Sequence, residues 1–155
     1  MHLEIERKFL VRKDLWYALR KPDGVEIRQG YLVSEASLNI RIRITSKNCW
    51  LTIKGPTKNV SRAEYEYEIP FDDASEILAD LTRNIIEKTR YRIEFENKIW
   101  EVDEFFGDNE GLIVAEIELE KEDEFFIPPQ WVGEEVTSDE RYHNALLAGH
   151  PFKNW

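Results

Sequence analysis

Apolar and charged residues alternate at a period of two through most of this chain. In the opening stretch Glu4, Glu6 and Lys8 alternate with Ile5, Arg7 and Phe9. That period belongs to a β-strand, so the three charges share one face. The alternation returns where Arg41 and Arg43 interleave with Ile40, Ile42 and Ile44, and where Thr52 and Lys54 interleave with Leu51 and Ile53. It continues with Arg62, Glu64, Glu66 and Glu68 between Ala63, Tyr65, Tyr67 and Ile69, and with Lys88, Arg90, Arg92, Glu94 and Glu96 between Thr89, Tyr91, Ile93 and Phe95. Glu101 and Asp103 flank Val102, and Glu116, Glu118 and Glu120 flank Ile117 and Leu119. A water-facing sheet normally mixes Thr, Ser, Gln and Asn with its charges. Here the polar parity is almost purely Glu, Asp, Lys and Arg.

The pattern predicts strands over residues 2–12, 25–33, 38–45, 49–54, 61–70, 84–96, 98–106 and 112–121. Ser46-Lys47-Asn48 and Asn97 mark hairpin turns, and Gly55-Pro56 punctuates a strand end. Gly30 marks a bulge or a close backbone approach. Asp14 is positioned to cap a short helix carrying Leu15, Trp16 and Leu19, which Pro22 and Gly24 end. Asp73-x-x-Glu76 opens a second helix with Ile77, Leu78 and Leu81 on one face, and Thr137-Ser-Asp-Glu140 has the spacing of a capping box for a third, through Ala148. The five tryptophans and Phe152 read as packing or surface aromatics. His2, His143 and His150 share no ligand spacing and read as surface or capping residues.

Length fits one domain over residues 1–155. No apolar run approaches the roughly 20 residues of a membrane helix. The lone Cys49 forms no internal disulfide, and no leader-like segment opens the chain, so a cytoplasmic, non-membrane protein is expected. A net charge of -10 speaks against a nucleic-acid binder, which needs an excess of cations. The basic residues therefore matter by position. Of 21 Lys and Arg, at least seven (Lys8, Arg41, Arg43, Lys54, Arg62, Lys88, Arg90) share the strand parity of the acids.

Two carboxylates about 7 Å apart along a strand, followed by an ammonium, can hold a divalent cation at one end and an anion at the other. A single such strand is equally an exposed, salt-bridged one; its repetition is the informative feature. Taken in order, Glu4-x-Glu6-x-Lys8, Arg41-x-Arg43, Lys54-Gly55, Glu64 with Glu66, Lys88-x-Arg90, Glu101-x-Asp103 and Glu116-x-Glu118 resemble the CYTH family, the triphosphate tunnel metalloenzymes, over about residues 2 to 148. The resemblance implies an α+β, mostly β, fold: an eight-stranded antiparallel β-barrel forming a tunnel, with short covering helices and a C-terminal helix against one tunnel end. Asp139, Arg141, Tyr142 and Asn144 fall where that helix would touch the barrel, and Tyr31 is either a tunnel residue or a half-buried strand aromatic. Such a barrel carries its charges inside and its apolar face outside under helices. That is tolerable only if the interior charges pair, bind metal or stay hydrated.

The resemblance also implies a basic lining that grips a triphosphate and an acidic cluster that binds magnesium or manganese. Arginine suits a bidentate grip on phosphate oxygens and lysine supplies point charge, which makes Lys8, Arg41, Arg43, Lys54, Arg62, Lys88 and Arg90 the expected clamp. Glu4, Glu6, Glu116 and Glu118 supply hard oxygen ligands for the metal, and Glu64, Glu66, Glu101 and Asp103 are expected to orient the clamp. Water is activated by a second metal or by a base, and the base is either a glutamate of the cluster or Lys88, acting with Tyr31. The expected activity is metal-dependent hydrolysis of a triphosphate. The chain's shortness leaves little room for a nucleobase pocket and so favours inorganic triphosphate. A class IV-type adenylate cyclase and a thiamine or nucleoside triphosphatase are the enzymatic alternatives, and a non-catalytic polyphosphate or nucleotide binder is the third. Oligomeric state has no signal in the sequence.

Overall fold

The computed structural model describes residues 2–155, with only the backbone at His2, so the surface reading of the His2 side chain lies outside the described residues. The elements run β1 (His2–Val11), α1 (Lys13–Ala18), β2 (Val25–Ser34), β3 (Asn39–Ile44), β4 (Cys49–Lys54), β5 (Ser61–Ile69), α2 (Phe71–Leu81), β6 (Ile86–Phe95), β7 (Lys98–Phe105), β8 (Ile113–Glu118), β9 (Val132–Glu135) and α3 (Asn144–Gly149). Antiparallel pairing in the order β5-β4-β3-β2-β6-β7-β8-β1 closes through β1–β5 into an eight-stranded barrel. β1 makes the closure by dividing its length: His2–Ile5 pairs with β5, while Glu6–Leu10 pairs with β8. No helix among the described residues is long and apolar enough to cross a membrane.

The turns form where local chemistry permits. Glu96 and Asn97 both take positive φ, which a tight two-residue hairpin demands. Thr45 Oγ1 accepts from the N–H groups of Lys47 and Asn48 to close the β3–β4 turn. Gly30 meets both expectations placed on it. The β2–β3 register shifts just after it, between Tyr31 and Val33, and a Cβ at Gly30 would stand 2.5 Å from Thr82 Oγ1 and 2.8 Å from Leu78 Cδ1.

Two apolar clusters lie outside the barrel. On one side Ile5, Phe9, Trp100, Val102, Ala115 and Ile117 pack under Trp16 of α1 and Trp131, with Trp16, Trp100 and Trp131 meeting edge to face. On the other, Ile42, Ile44 and Cys49 lie beneath Ala74 and Leu78 of α2. A third cluster lies on the interior parity at one end, where Leu10, Ile86, Phe105 and Val114 meet Val136, Tyr142 and Leu147. The interior is therefore charged over part of its length and apolar at the end closed by the C-terminal segment.

Several expected boundaries shift. Arg12, not Asp14, occupies the first helix's N-cap; Asp14 lies in the first turn, where it complements the helix dipole. α2 begins at Phe71 behind Pro70 rather than at Asp73, and Leu81 ends exposed. The last long strand stops at Glu118, because residues 120–124 turn back and Glu124 accepts from the Glu120 N–H. β9 was not expected at all. The proposed capping box does not open a helix: Thr137 Oγ1 accepts from the Lys8 N–H and Val136 N donates to Lys8 O, so this segment extends the pairing along β1. Asp139 instead caps a single 3-10 turn, and α3 starts at Asn144. Tyr65 and Tyr67, expected to be covered, are 45% and 56% exposed, because α2 packs over β2, β3 and β4.

The approach of α2 at Gly30 predicts that Gly30→Ala destabilises by about 1–3 kcal/mol, since backbone and helix must separate to admit a methyl group. Gly149→Ala, where a Cβ meets nothing within 4 Å, should change stability by less than about 0.5 kcal/mol. Urea unfolding of the two variants beside the wild type makes the comparison.

Candidate functional site: a charged tunnel inside the barrel

Strand register assembles the site. Glu6 stands opposite Glu118 and Lys8 opposite Glu116 across β1–β8; Glu116 faces Glu101 across β7–β8; Arg90 faces Asp103 across β6–β7. On the far wall Arg41 lies between Tyr31 of β2 and Thr52 of β4. The result is a cavity of about 1180 Å³ lined by Glu4, Glu6, Lys8, Tyr31, Arg41, Arg43, Lys54, Arg62, Glu64, Glu66, Lys88, Arg90, Glu101, Glu116 and Glu118. Every expected site residue but Asp103 lines it. Asp103 sits behind the wall, 1% exposed, holding two of the cations.

The acidic side carries more negative charge than its lysines absorb. Both oxygens of Glu4 accept from Lys54 Nζ, at 2.8 and 2.7 Å, with Arg62 Nε 3.6 Å away. Lys8 Nζ lies 2.9 Å from Glu116 and 3.7 Å from Glu6. Burial works against the Lys8 charge, but Glu116, Glu6 and Glu4 outweigh it and hold the ammonium well above its usual range. Glu118 makes no ion pair among the described residues. Burial, then Glu4, Glu64, Glu6 and Glu101, push its carboxyl up. An uncompensated carboxylate ringed by others, all hard oxygen donors, fits magnesium or manganese. No three such side chains among the described residues stand together as a ready cage. Glu4 is drawn onto Lys54, and Glu6 and Glu116 onto Lys8, so a cation competes with those lysines for the same oxygens.

The basic side is the converse. Arg41 Nη2 donates to Thr52 Oγ1 at 3.3 Å and lies 4.0 Å from Glu66, while its buried Nε has no partner. Among the described residues Arg43 donates only to Gln29 Oε1; burial, then Arg41 and Arg90, pull its guanidinium below its usual range. Lys88 is 2% exposed and donates to Asp103 Oδ2 at 2.7 Å and Asn144 Oδ1 at 2.8 Å. Burial lowers its pKa to about 7, with Arg90 and Arg43 assisting and Asp103 opposing. Arg90 grips Asp103 through Nε at 2.7 Å and Nη2 at 2.9 Å, and Glu101 at 3.4 Å. Donors crowded together with one guanidinium N–H unsatisfied are a fit for a multivalent phosphate anion.

Glu66 reaches Arg41 through Thr52 and Glu64 lies 3.6 Å from Lys54, so both stand beside the cations they were expected to orient, as do Glu101 and Asp103. Lys88 and Tyr31, expected to act together, share no hydrogen bond among the described residues: Tyr31 OH accepts from Gln29, and its pKa is raised by burial, which keeps it a neutral donor. Asp139 and Arg141 pair with each other at the surface and Tyr142 joins the apolar plug, so of the four C-terminal residues expected at the barrel only Asn144 enters the tunnel. His143, read as a surface or capping residue, occupies the N-cap position of α3, without a side-chain cap hydrogen bond. It is half-buried on the cavity wall, its pKa lowered by burial and by Lys8 and Arg62. Gln29 was missed; its parity, two residues before Tyr31, was the available signal.

Comparison with known proteins follows the same lines. The CYTH domain model matches residues 2–145. An inorganic triphosphatase of Acetivibrio thermocellus is 48% identical, covering 100% of this chain and 99% of that protein. An inorganic triphosphatase of Nitrosomonas europaea is 38% identical over 94% of this chain and 96% of its own length. A crystal structure of an inorganic triphosphatase superposes with a TM-score of 0.65 at 35% identity, covering 94% of this chain and 97% of the other.

The burial of Lys88 has a pH signature. Its pKa falls from an ordinary 10.5 to about 7 in the fold, so between those values the unfolded chain holds a proton that the native state lacks. Stability contributed by this group therefore rises with pH across that window, by at most about 1.4 kcal/mol per pH unit, and is smallest at and below pH 7. Measured from pH 7 to 10, wild type should gain stability relative to Lys88→Met. Parallel curves would mean that Lys88 is charged in the fold.

Proposed function

The chain belongs to the CYTH domain family, and from that premise we propose that it is a magnesium- or manganese-dependent hydrolase that cleaves inorganic triphosphate to diphosphate and orthophosphate. The observation that carries the reading is the pairing, in one tunnel, of Arg41 Nε among Arg43, Arg90 and Lys88 with Glu118 among further carboxylates, both without a partner among the described residues. Two relatives named inorganic triphosphatases, aligned over nearly the whole chain, support it. We place the protein in the cytoplasm, with buried Cys49 reduced and no nucleic-acid partner.

Hydrolysis here is mostly positioning and electrostatic stabilisation. Arg41, Arg43 and Arg90 with Lys8, Lys54 and Arg62 hold phosphate oxygens, and Tyr31, kept protonated by burial, donates a neutral hydrogen bond. Glu4, Glu6, Glu116 and Glu118 are the residues to hold the cation, which when bound would neutralise phosphate charge and orient the triphosphate. Water attacks the terminal phosphorus as the bond to the bridging oxygen breaks, and diphosphate leaves with the electron pair. Lys88, with a pKa of about 7, has an amine form at neutral pH and takes the proton from the attacking water. Glu64, Glu66, Glu101 and Asp103 hold the cationic side chains in place.

Phosphate release and cyclic-nucleotide formation measured across inorganic triphosphate, ATP and thiamine triphosphate test the reading. Turnover of inorganic triphosphate that chelation abolishes and magnesium or manganese restores is expected. A cyclic product, or tight binding without turnover, overturns it.

Variants then separate the two halves of the tunnel. Glu6→Gln and Glu118→Gln should stay folded and lose roughly 10²-fold or more in kcat, since each removes a charged metal ligand at constant shape. Arg41→Ala should raise KM and also lower kcat, in proportion to how far its grip tightens in the transition state. Wild-type kinetics in well-folded variants would show these side chains to be structural ion pairs only.

A further inference from the structure

Arg43 can only donate hydrogen bonds, and its Nε lies 3.1 Å from Gln29 Oε1. That contact fixes the Gln29 amide, turning its NH2 away from Arg43 towards Tyr31 OH at 2.9 Å and Asn144 Oδ1 at 3.1 Å. Lys88 Nζ donates to the same Asn144 oxygen at 2.8 Å. Reversing the Asn144 amide would set its NH2 against the NH2 of Gln29, so its orientation is fixed as well. With both lone pairs of Oδ1 engaged, Nδ2 faces the other way. It has no acceptor among the described residues, it is not enclosed, and its side chain lines the tunnel cavity.

We propose that Asn144 is a further substrate-binding residue whose Nδ2 donates to a phosphate oxygen beside Lys88, and that Gln29 is the positioning residue that holds the amide in that orientation. This rests on the reading of the cavity as a triphosphate site. An amide is the useful group here because Arg41, Arg43 and Arg90 already crowd one another, and a neutral donor adds a hydrogen bond without adding repulsion. It also ties the floor of the site to the C-terminal helix, since Asn144 is the first residue of α3. Gln29 is fully buried and uses both ends of its amide, with no contact to the cavity of its own.

Asn144→Asp keeps the size and an oxygen for Lys88 and Gln29 but replaces the donating NH2 by a second carboxylate oxygen. With magnesium and inorganic triphosphate as the probe, its KM should rise roughly a hundredfold and that of Asn144→Ala roughly tenfold, with melting temperature held. Gln29→Leu frees the amide to turn and should raise KM several-fold in the wild-type background but not when residue 144 is already alanine. Unchanged KM in both Asn144 variants overturns the inference, as does a loss of melting temperature without a change in KM, or a Gln29 effect that persists in the double variant. Failure of the wild type to bind or cleave triphosphate would instead overturn the reading of the cavity.

Discussion

Lys88 and Asp103 are 2% and 1% exposed, and a charge taken that far from water costs several kcal/mol unless another charge answers it. Asp103 is answered twice, by Lys88 and by the fork of Arg90, and its carboxyl is held well below the usual range although burial alone would raise it. This triad ties β6 to β7 at the middle of the barrel. Two basic side chains share one carboxylate, beside Arg41, whose acidic neighbour Glu66 lies 4.0 Å away, and Arg43, which makes no ion pair among the described residues. At Glu118, which is exposed and makes no ion pair among the described residues, the neighbouring Glu4, Glu64 and Glu6 leave an excess of negative charge. Each side of the tunnel is satisfied internally up to a point, and the remainder matches a bound ion of opposite sign.

That arrangement is stable only because the hydrophobic effect is moved elsewhere. The strands bury their apolar parity outward, under Trp16 and Trp131 on one side and α2 on the other, and the tryptophans carry large area into a small space. The cost is visible in Trp100, whose indole N–H is buried without a polar partner among the described residues. Inside, the charged zone gives way to Leu10, Ile86, Phe105 and Val114 under α3. This apolar end excludes water behind Lys88 and is part of why its ammonium is destabilised.

Much of this was legible in the alternation itself. Once a strand's period is recognised, register carries every second side chain to one face, so Glu4, Arg41, Lys88 and Glu116 had to meet if the sheet closed. The apolar plug was equally present on the same parity, where Lys8 leads to Leu10, Lys88 back to Ile86 and Glu116 back to Val114. The C-terminal segment was read less well, because a threonine three residues before a glutamate fits a capping box by spacing alone. Thr137 was recruited instead by the free edge of β1, where β5 pairs only with His2–Ile5. Gln29 is hard to read for a different reason: parity places it on the face of Tyr31, but its role depends on Arg43 and Asn144, which the chain brings to it from 14 and 115 residues away.

A protein of net charge -10 that binds a polyanion must overcome its own field. Screening limits that field to about 8 Å at physiological ionic strength, so the surface acids act weakly at the tunnel interior, while the clamp acts at contact. The carboxylates inside the tunnel are a different matter, since they are close and poorly screened. Glu4, Glu6 and Glu116 are partly neutralised by Lys54 and Lys8, and a divalent cation entering beside Glu118 would complete the neutralisation while bringing positive charge of its own. Metal and triphosphate thus each lower the electrostatic cost of the other, and a tunnel with both signs on its walls suits the metal complex better than either ion alone.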